Sequence, residues 1–244
     1  MTLCEHDWKK QKGICCEHEK CVKCGVIHKT RRCELHELTA FDYNEFYYFW
    51  RKEMCNFRDG VPLNKQFEEE HLQALREMKI NLKSLGKTVL EVGSGTGRLV
   101  PMFLKAGFEY ECVEISGWAA GYIENAYNVK VYNRGIEGFN PPKKYDLLAC
   151  IHTLEHLDEA DKVFEQLKGL VKAGGYIFLA VPDNTDLYNP DHWWFFDEHV
   201  LRNWCQAAGL KEICILKKKG NNRENFIYFL MQKEGENENK KNYK

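Results

Sequence analysis

The stretch V-L-E-V-G-S-G-T-G, Val89 to Gly97, decides how this chain is read. Thr88, Val89, Leu90 and Val92 form a short apolar, β-branched run of the kind that makes a parallel strand, with Glu91, a candidate cofactor-binding residue, placed where the strand emerges. Gly93, Gly95 and Gly97 follow at every second position around Ser94. That spacing lets the backbone take positive φ and approach a ligand closely at the carboxyl end of the strand. Arg98, Leu99, Val100, Phe103 and Leu104 then read as a helix whose first turn offers unpaired N–H groups to an anion. Strand, glycine loop and helix together form a unit that holds a small polar molecule.

The glycine spacing separates the cofactor classes that use such a unit. A dinucleotide fingerprint G-x-G-x-x-G needs glycine at 98, where Arg98 stands, and no G-K-[ST] follows to make a P-loop. The remaining pattern, E-x-G-x-G-x-G, resembles the first motif of class I S-adenosylmethionine (SAM) dependent methyltransferases. The resemblance extends over residues 85 to 232. Tyr110 to Ile115 reads as a second strand carrying Glu114 about twenty residues beyond the loop, where a carboxylate meets ribose hydroxyls in nucleoside-binding sheets. A short strand at Asn128 to Tyr132 leads into R-G-I-E-G-F, Arg134 to Phe139, which looks like the family's adenine-side loop. The family often has an aspartate where Gly135 stands, so adenine falls to the backbone around Ile136 and to Glu137, beside Ile115.

The strand Tyr145 to Ile151 runs into H-T-L-E-H-L, His152 to Leu157, which resembles the post-strand signature of ubiquinone-type and other small-molecule methyltransferases. A helix is expected from Asp158 to Lys172, with Val163, Phe164, Leu167, Leu170 and Val171 on one face and Ala173, Gly174 and Gly175 as its stop. Tyr176 to Val181 reads as a fifth strand, Val200 to Ala208 as a helix, and Glu212 to Leu216 and Phe226 to Met231 as the last two strands. The Gly220 to Arg223 connection suits a hairpin. The resemblance therefore implies an α/β, Rossmann-like fold with a seven-stranded, mostly parallel sheet whose last strand is antiparallel, preceded by a small Cys-rich N-terminal module. The expected organisation is a Cys/His module at 1–38, a helical lid at 39–80 carrying aromatics from Phe41 to Trp50, the methyltransferase domain at 81–233, and a disordered tail at 234–244.

Composition fits a soluble enzyme. With 244 residues, 44% hydrophobic, the chain can bury a full α/β core, and a net charge of −1 gives no global case for nucleic acid or anionic membranes. No long apolar run or secretory signal is seen, so a cytoplasmic location without membrane contact is expected.

Cysteine placement is the second informative feature. Cys4, Cys15, Cys16, Cys21, Cys24 and Cys33 alternate with His6, His18, His28 and His36 near the amino terminus, in a segment too short for its own core. Cys21-x-x-Cys24-Gly25 is a knuckle in which two thiolates chelate one tetrahedral ion, and Cys4-x-His6 supplies the other pair for a structural Cys₃His zinc site. The other cysteines and histidines of the segment could substitute for these or bind a second ion. Cys112, Cys150, Cys205 and Cys214 fall on apolar faces and read as small hydrophobes.

For methyl transfer, the acceptor's lone pair must be aligned behind the sulfonium methyl, and a hydroxyl acceptor must lose a proton. His152, His156, His192 and His199 stand near the carboxyl edge of the sheet. His192, in the loop after strand five, is the preferred base and His152 the second candidate, the latter also lying against the cofactor. His152-x-x-Glu155-His156 matches an inverted zinc-protease motif, but its first histidine leaves a buried strand instead of sharing a helical face. Trp193 to Phe196 reads equally as an acceptor-pocket lining or as a loop packed on the sheet edge. The acceptor is expected to be a small metabolite or sugar-like molecule taking the methyl on O or N. A nucleic acid or protein partner reached through the N-terminal module stays open, as does a SAM-binding fold without turnover.

Overall fold

In the computed structural model, residues 3–11, 17–31, 57–58, 61–183, 192–219 and 225–235 are described here. The chain order is β1 (Trp8–Gln11), β2 (Glu17–Cys21), β3 (Ile27–Arg31), β4 (Phe57–Arg58), β5 (Val61–Pro62), α1 (Leu63–Glu77), β6 (Thr88–Val92), α2 (Val100–Ala106), β7 (Glu109–Glu114), α3 (Gly117–Tyr127) and β8 (Lys130–Asn133). It continues with β9 (Tyr145–Ile151), α4 (Ala160–Leu170), β10 (Val171–Pro182), β11 (Trp194–Phe195), α5 (Glu198–Ala207), β12 (Leu210–Lys219) and β13 (Asn225–Lys233).

Seven strands form one sheet in the order β12-β13-β10-β9-β6-β7-β8. The neighbours from β10 to β8 run parallel, and β13 lies antiparallel to both β10 and β12. The order reverses between β6 and β9, the first strand and the one after its crossovers, and the crevice at such a reversal is where open α/β sheets take ligands. Alternate side chains point to opposite faces. Val89, Leu147, Ala149 and Phe178 pack with Leu75 of α1 and Phe103 of α2, while Leu90, Leu148, Cys150 and Leu179 pack with Phe164 of α4 and Trp204 of α5. Each such fully buried Leu or Phe contributes about 1.5–3 kcal/mol, which is why the strands read as continuous apolar runs.

Most element ends shift by a few residues from the sequence expectation, and two glycine-bearing stretches differ in kind. Residues 95–99 turn before α2 begins at Val100, so the helix starts later than its apolar spacing implied. The Ala173-Gly174-Gly175 segment does not stop a helix. It lies inside β10, which starts at Val171 and shifts register against β9 between Val171 and Tyr176.

The N-terminal strands form a second sheet, β1-β2-β3-β11, closed by a strand from the far end of the chain. His28 pairs with Trp194 and Ile27 with Phe195. Cys21, Cys24 and Val26 consequently share one core with Trp194, Phe196 and Trp204. The aromatic cluster Phe41 to Trp50 and the tail beyond residue 235 lie outside the described residues.

Candidate functional site

The glycine loop closes over the end of β6. Gly93, Gly95 and Gly97 have φ of 71°, 55° and 72°, in the left-handed region that glycine reaches without strain. A Cβ at Gly93 would stand 2.3 Å from Thr153 Oγ1, so the turn after β9 rests directly on the loop. Thr153 Oγ1 donates at this junction, with the carbonyls of Val92 and Gly93 at 3.1 and 3.3 Å. Ser94 is buried within the loop.

Glu114, buried at the end of β7, ties the loop to the next strand. Its Oε2 accepts from Gly95 N at 2.7 Å and its Oε1 from Ser116 N at 2.9 Å. Ile115 beside it is 64% exposed, an apolar side chain left open next to a carboxylate. A Cβ on Gly135 would meet Glu137 Oε2 at 2.7 Å and Ile115 Cδ1 at 3.9 Å, so Ile115, Gly135 and Glu137 gather at one edge of the crevice. Ile136 points into the core, and its carbonyl accepts from Gln166 Nε2. Glu91 does not emerge from the strand as its position suggested. It is buried, with Tyr110 OH donating to its Oε2 at 2.5 Å, and burial pushes its carboxyl up to about 8.

The other wall is the turn after β9. His152 has φ of 50°, unusual for a non-glycine residue, and its N–H donates to Ala180 O at 2.8 Å. Its ring packs edge-on to Phe226 and His71, with Phe67 nearby. His71, on α1, was not singled out from the sequence, because one histidine within an amphipathic helix carries no linear signal. Its Nδ1 donates to Phe67 O at 2.8 Å. Burial, then His152, push His71 down to about 3, and burial, then Arg98, push His152 to about 3 as well.

His192 and His156 face each other, ring centroids 4.9 Å apart, with Glu155 buried beneath. Burial, then the charge of His156, push His192 down to about 2, and burial raises Glu155 to about 7. Imidazoles held that low are neutral near pH 7 and are weak proton acceptors. Burial holds His192 and His152 neutral near pH 7, the form in which either would have to take a proton as a base. Trp193 N donates to Glu155 O at 2.8 Å, fixing the segment of His192 against that of Glu155. Trp194, Phe195 and Phe196 are buried. They pack the second sheet onto the domain, with Trp194 against Trp8, His28 and Trp204, instead of lining an open acceptor pocket. His199, by contrast, sits on α5 near Asn203 Nδ2.

At the N-terminus, the ligand atoms of Cys4, His6, Cys21 and Cys24 all lie within 4.8 Å of one another. Cys4 Sγ is 3.8 Å from Cys21 Sγ, and Cys24 Sγ is 3.6 Å from His6 Nδ1. A tetrahedron with Zn–S of about 2.3 Å and Zn–N of about 2.0 Å has S···S edges of about 3.8 Å and S···N edges of about 3.5 Å. Burial opposes ionisation of Cys21, but N–H groups of Cys24, Asp7 and Lys23 together with His6 outweigh it and bring the thiol down to about 6. His6 Nε2 faces Asp161 of α4 at 3.7 Å, and Asn203 Nδ2 of α5 donates to Cys24 O at 3.4 Å. An outer carboxylate on a ligating imidazole is the usual means of orienting it.

The fold agrees with what comparison with known proteins finds. The family described as "Methyltransferase domain" matches residues 63–215, more than half of the chain. The chain belongs to the methyltransferase domain family. Among its relatives, the ubiquinone biosynthesis O-methyltransferase of Paraburkholderia phytofirmans is 31% identical over 102 residues, which cover 39% of this chain and 44% of that protein. The malonyl-[acyl-carrier protein] O-methyltransferase 1 of Ilyobacter polytropus is 27% identical over 142 residues, 54% of this chain and 53% of that one. The chain thus spans about half the length of the curated relatives it matches. In fold it is similar to the magnesium protoporphyrin IX methyltransferase of Synechocystis PCC 6803 with bound S-adenosylhomocysteine (SAH), with a TM-score of 0.60, 16% identity, and coverage of 78% of this chain and 96% of that one. The seven-stranded sheet with its antiparallel last strand is the class I SAM-dependent methyltransferase fold. Among the described residues, no helix is long and apolar enough to cross a membrane.

Proposed function

We propose that this chain transfers the methyl group of SAM to an oxygen or nitrogen atom of a small-molecule acceptor. The observation that carries the reading is the Glu114 carboxylate, buried and clamped to the glycine loop at Gly95 N, with Ile115 left exposed beside it. In this reading Gly93, Ser94, Gly95 and Gly97 receive the amino-acid end of SAM, Glu114 takes the ribose hydroxyls, and Ile115, Glu137 and the backbone at Ile136 border adenine. SAM supplies an electrophilic methyl on sulfur. His152 and His71 form the wall against which the acceptor is placed. Relatives named for O-methylation favour oxygen as the acceptor atom.

The Cys4, His6, Cys21 and Cys24 cluster is assigned to one structural zinc ion, because its Cys4–Cys21 and Cys24–His6 edges match those of the tetrahedron and four protein ligands leave no position for a reacting water. Calorimetric titration with SAH tests the cofactor site, with saturable binding expected for the wild type and none for Gly95→Arg, whose side chain would fill the loop. No binding by a folded wild type would end this reading. A mass-spectrometric screen for methylated products then separates turnover on small molecules from turnover on RNA or protein, and both from a fold that binds SAM without reaction.

A further inference from the structure

Two segments far apart in sequence bring Glu155, His156 and His192 together, with ligand atoms all within 4.8 Å of one another. Glu155 is 1% exposed, and neither of its carboxylate oxygens has a hydrogen-bond partner among the described residues. His152 Nδ1 and His156 Nε2 stand 3.7 and 3.8 Å from Oε1, beyond hydrogen-bonding distance. A carboxylate buried in this way is costly unless it is paired, protonated or bound to a cation. Two imidazoles and one carboxylate on one side of a point are the donor set of an open divalent-metal site.

We infer that Glu155, His156 and His192 form a second metal site, distinct from the Cys₃His cluster, which takes a divalent first-row transition ion and leaves coordination positions open. Two nitrogen donors favour Zn²⁺, Mn²⁺, Co²⁺ or Fe²⁺ over Mg²⁺ or Ca²⁺. Ligand atoms about 2.1 Å from one ion stand about 3–3.5 Å apart, so inward ring movement of about an ångström closes the set. The backbone already holds the two segments in register through Trp193 N and Glu155 O. Thr153, two residues before Glu155, contacts the glycine loop through Val92 O and Gly93 O, so the cluster lies next to the turn that rests on that loop.

This inference deepens the methyl-transfer reading and rests on it for its chemical role. The open positions would take the hydroxyl oxygen of an acceptor. Coordination acidifies that hydroxyl and its proton leaves to water. The oxygen then forms a bond to the methyl carbon as the carbon–sulfur bond breaks, and the sulfonium becomes a neutral thioether. The match to an inverted zinc-protease motif thereby gains a different meaning: Glu155 and His156 share a cluster, and its third member comes from the segment before β11.

Cobalt titration of tag-free protein, followed by absorption and elemental analysis, tests the site. Wild type should bind two Co²⁺ per chain, one with thiolate charge-transfer absorption from the cysteine cluster and one without. Glu155→Gln, nearly isosteric, and His192→Ala should each weaken the second Co²⁺ by more than about tenfold while the thiolate-bound ion stays. Wild type that binds only thiolate-ligated cobalt overturns the inference, as does a second cobalt held with unchanged affinity in Glu155→Gln. SAH titration of the same samples keeps the two readings apart. Loss of the second cobalt in the variants, with no SAH binding by wild type, would leave the metal site standing and remove the methyl transfer.

Discussion

Glu114→Gln isolates what a charged ribose acceptor contributes. In the wild type each carboxylate oxygen accepts one backbone N–H, from Gly95 at 2.7 Å and Ser116 at 2.9 Å, at a residue only 3% exposed. Glutamine keeps the shape but has one acceptor oxygen, so its NH₂ must face one of those donors. Leaving one buried donor unpaired costs about 1–3 kcal/mol of folding stability. The ribose hydroxyls would also lose a charged acceptor, worth about 1.5–3 kcal/mol, which corresponds to SAH binding weakened about 10- to 150-fold. Calorimetry at 25 °C on variant protein with native near-ultraviolet circular dichroism measures this directly. An SAH affinity within threefold of wild type would refute the ribose assignment and leave Glu114 as a brace for the loop.

Gly93→Ala should destabilise the fold by about 2–4 kcal/mol, from a left-handed backbone and from the contact with Thr153 at 2.3 Å. Because Thr153→Ala removes the two nearest atoms, the double variant should recover about 1 kcal/mol or more relative to additivity in urea unfolding, and simple additivity would contradict the contact. Asp146 accepts from Lys87 N, Thr88 N, Thr88 Oγ1 and Lys172 Nζ. Burial alone would raise its carboxyl, but these donors and the Lys172 charge outweigh burial and hold it well below the ordinary carboxylate range. Its contribution is therefore full above the unfolded value of about 3.9 and is lost as pH falls through the lower folded value. Asp146→Asn should cost about 1–2 kcal/mol at pH 7, allowing for partial exposure, and the gap to wild type should narrow below about pH 4; a gap that widens in acid would reverse the assignment. Removing zinc with a strong chelator, or Cys21→Ser, should lower Tm by more than about 5 °C and change tryptophan emission, since the Trp8 ring stacks on His6 at 4.6 Å; unchanged Tm and emission would argue against a metal at the cysteines.

The sheet was legible because each buried strand is an apolar run bounded by turn residues, and Val89 to Gly97 adds glycines at the one place where backbone must bend sharply. The Cys₃His cluster was legible for a similar reason, since a knuckle spacing constrains its own geometry. What sequence did not reveal depends on contacts between distant segments. Trp193 to Phe196 is apolar whether it lines a pocket or pairs as a strand, and only the pairing of His28 with Trp194 separates the two. His192 looked like a free base because its neighbours in space, Glu155 and His156, belong to another loop. The Gly174-Gly175 pair resembles a helix stop, yet a register shift in a long strand uses the same freedom.

The strand pairing that joins the first and last thirds of the chain also governs the order of events during synthesis. Asn203 reaches the Cys24 carbonyl across 179 residues of chain, and β11 completes the N-terminal sheet across a similar span. At about 5–20 residues per second, the cysteine segment leaves the ribosome roughly 10 to 35 seconds before its partner strand exists. Until then its three strands have no covering face, and an ion held by Cys4, His6, Cys21 and Cys24 is what could keep the segment folded. Metal supply during translation, more than the stability of the finished protein, would then decide how much of this chain reaches its native state.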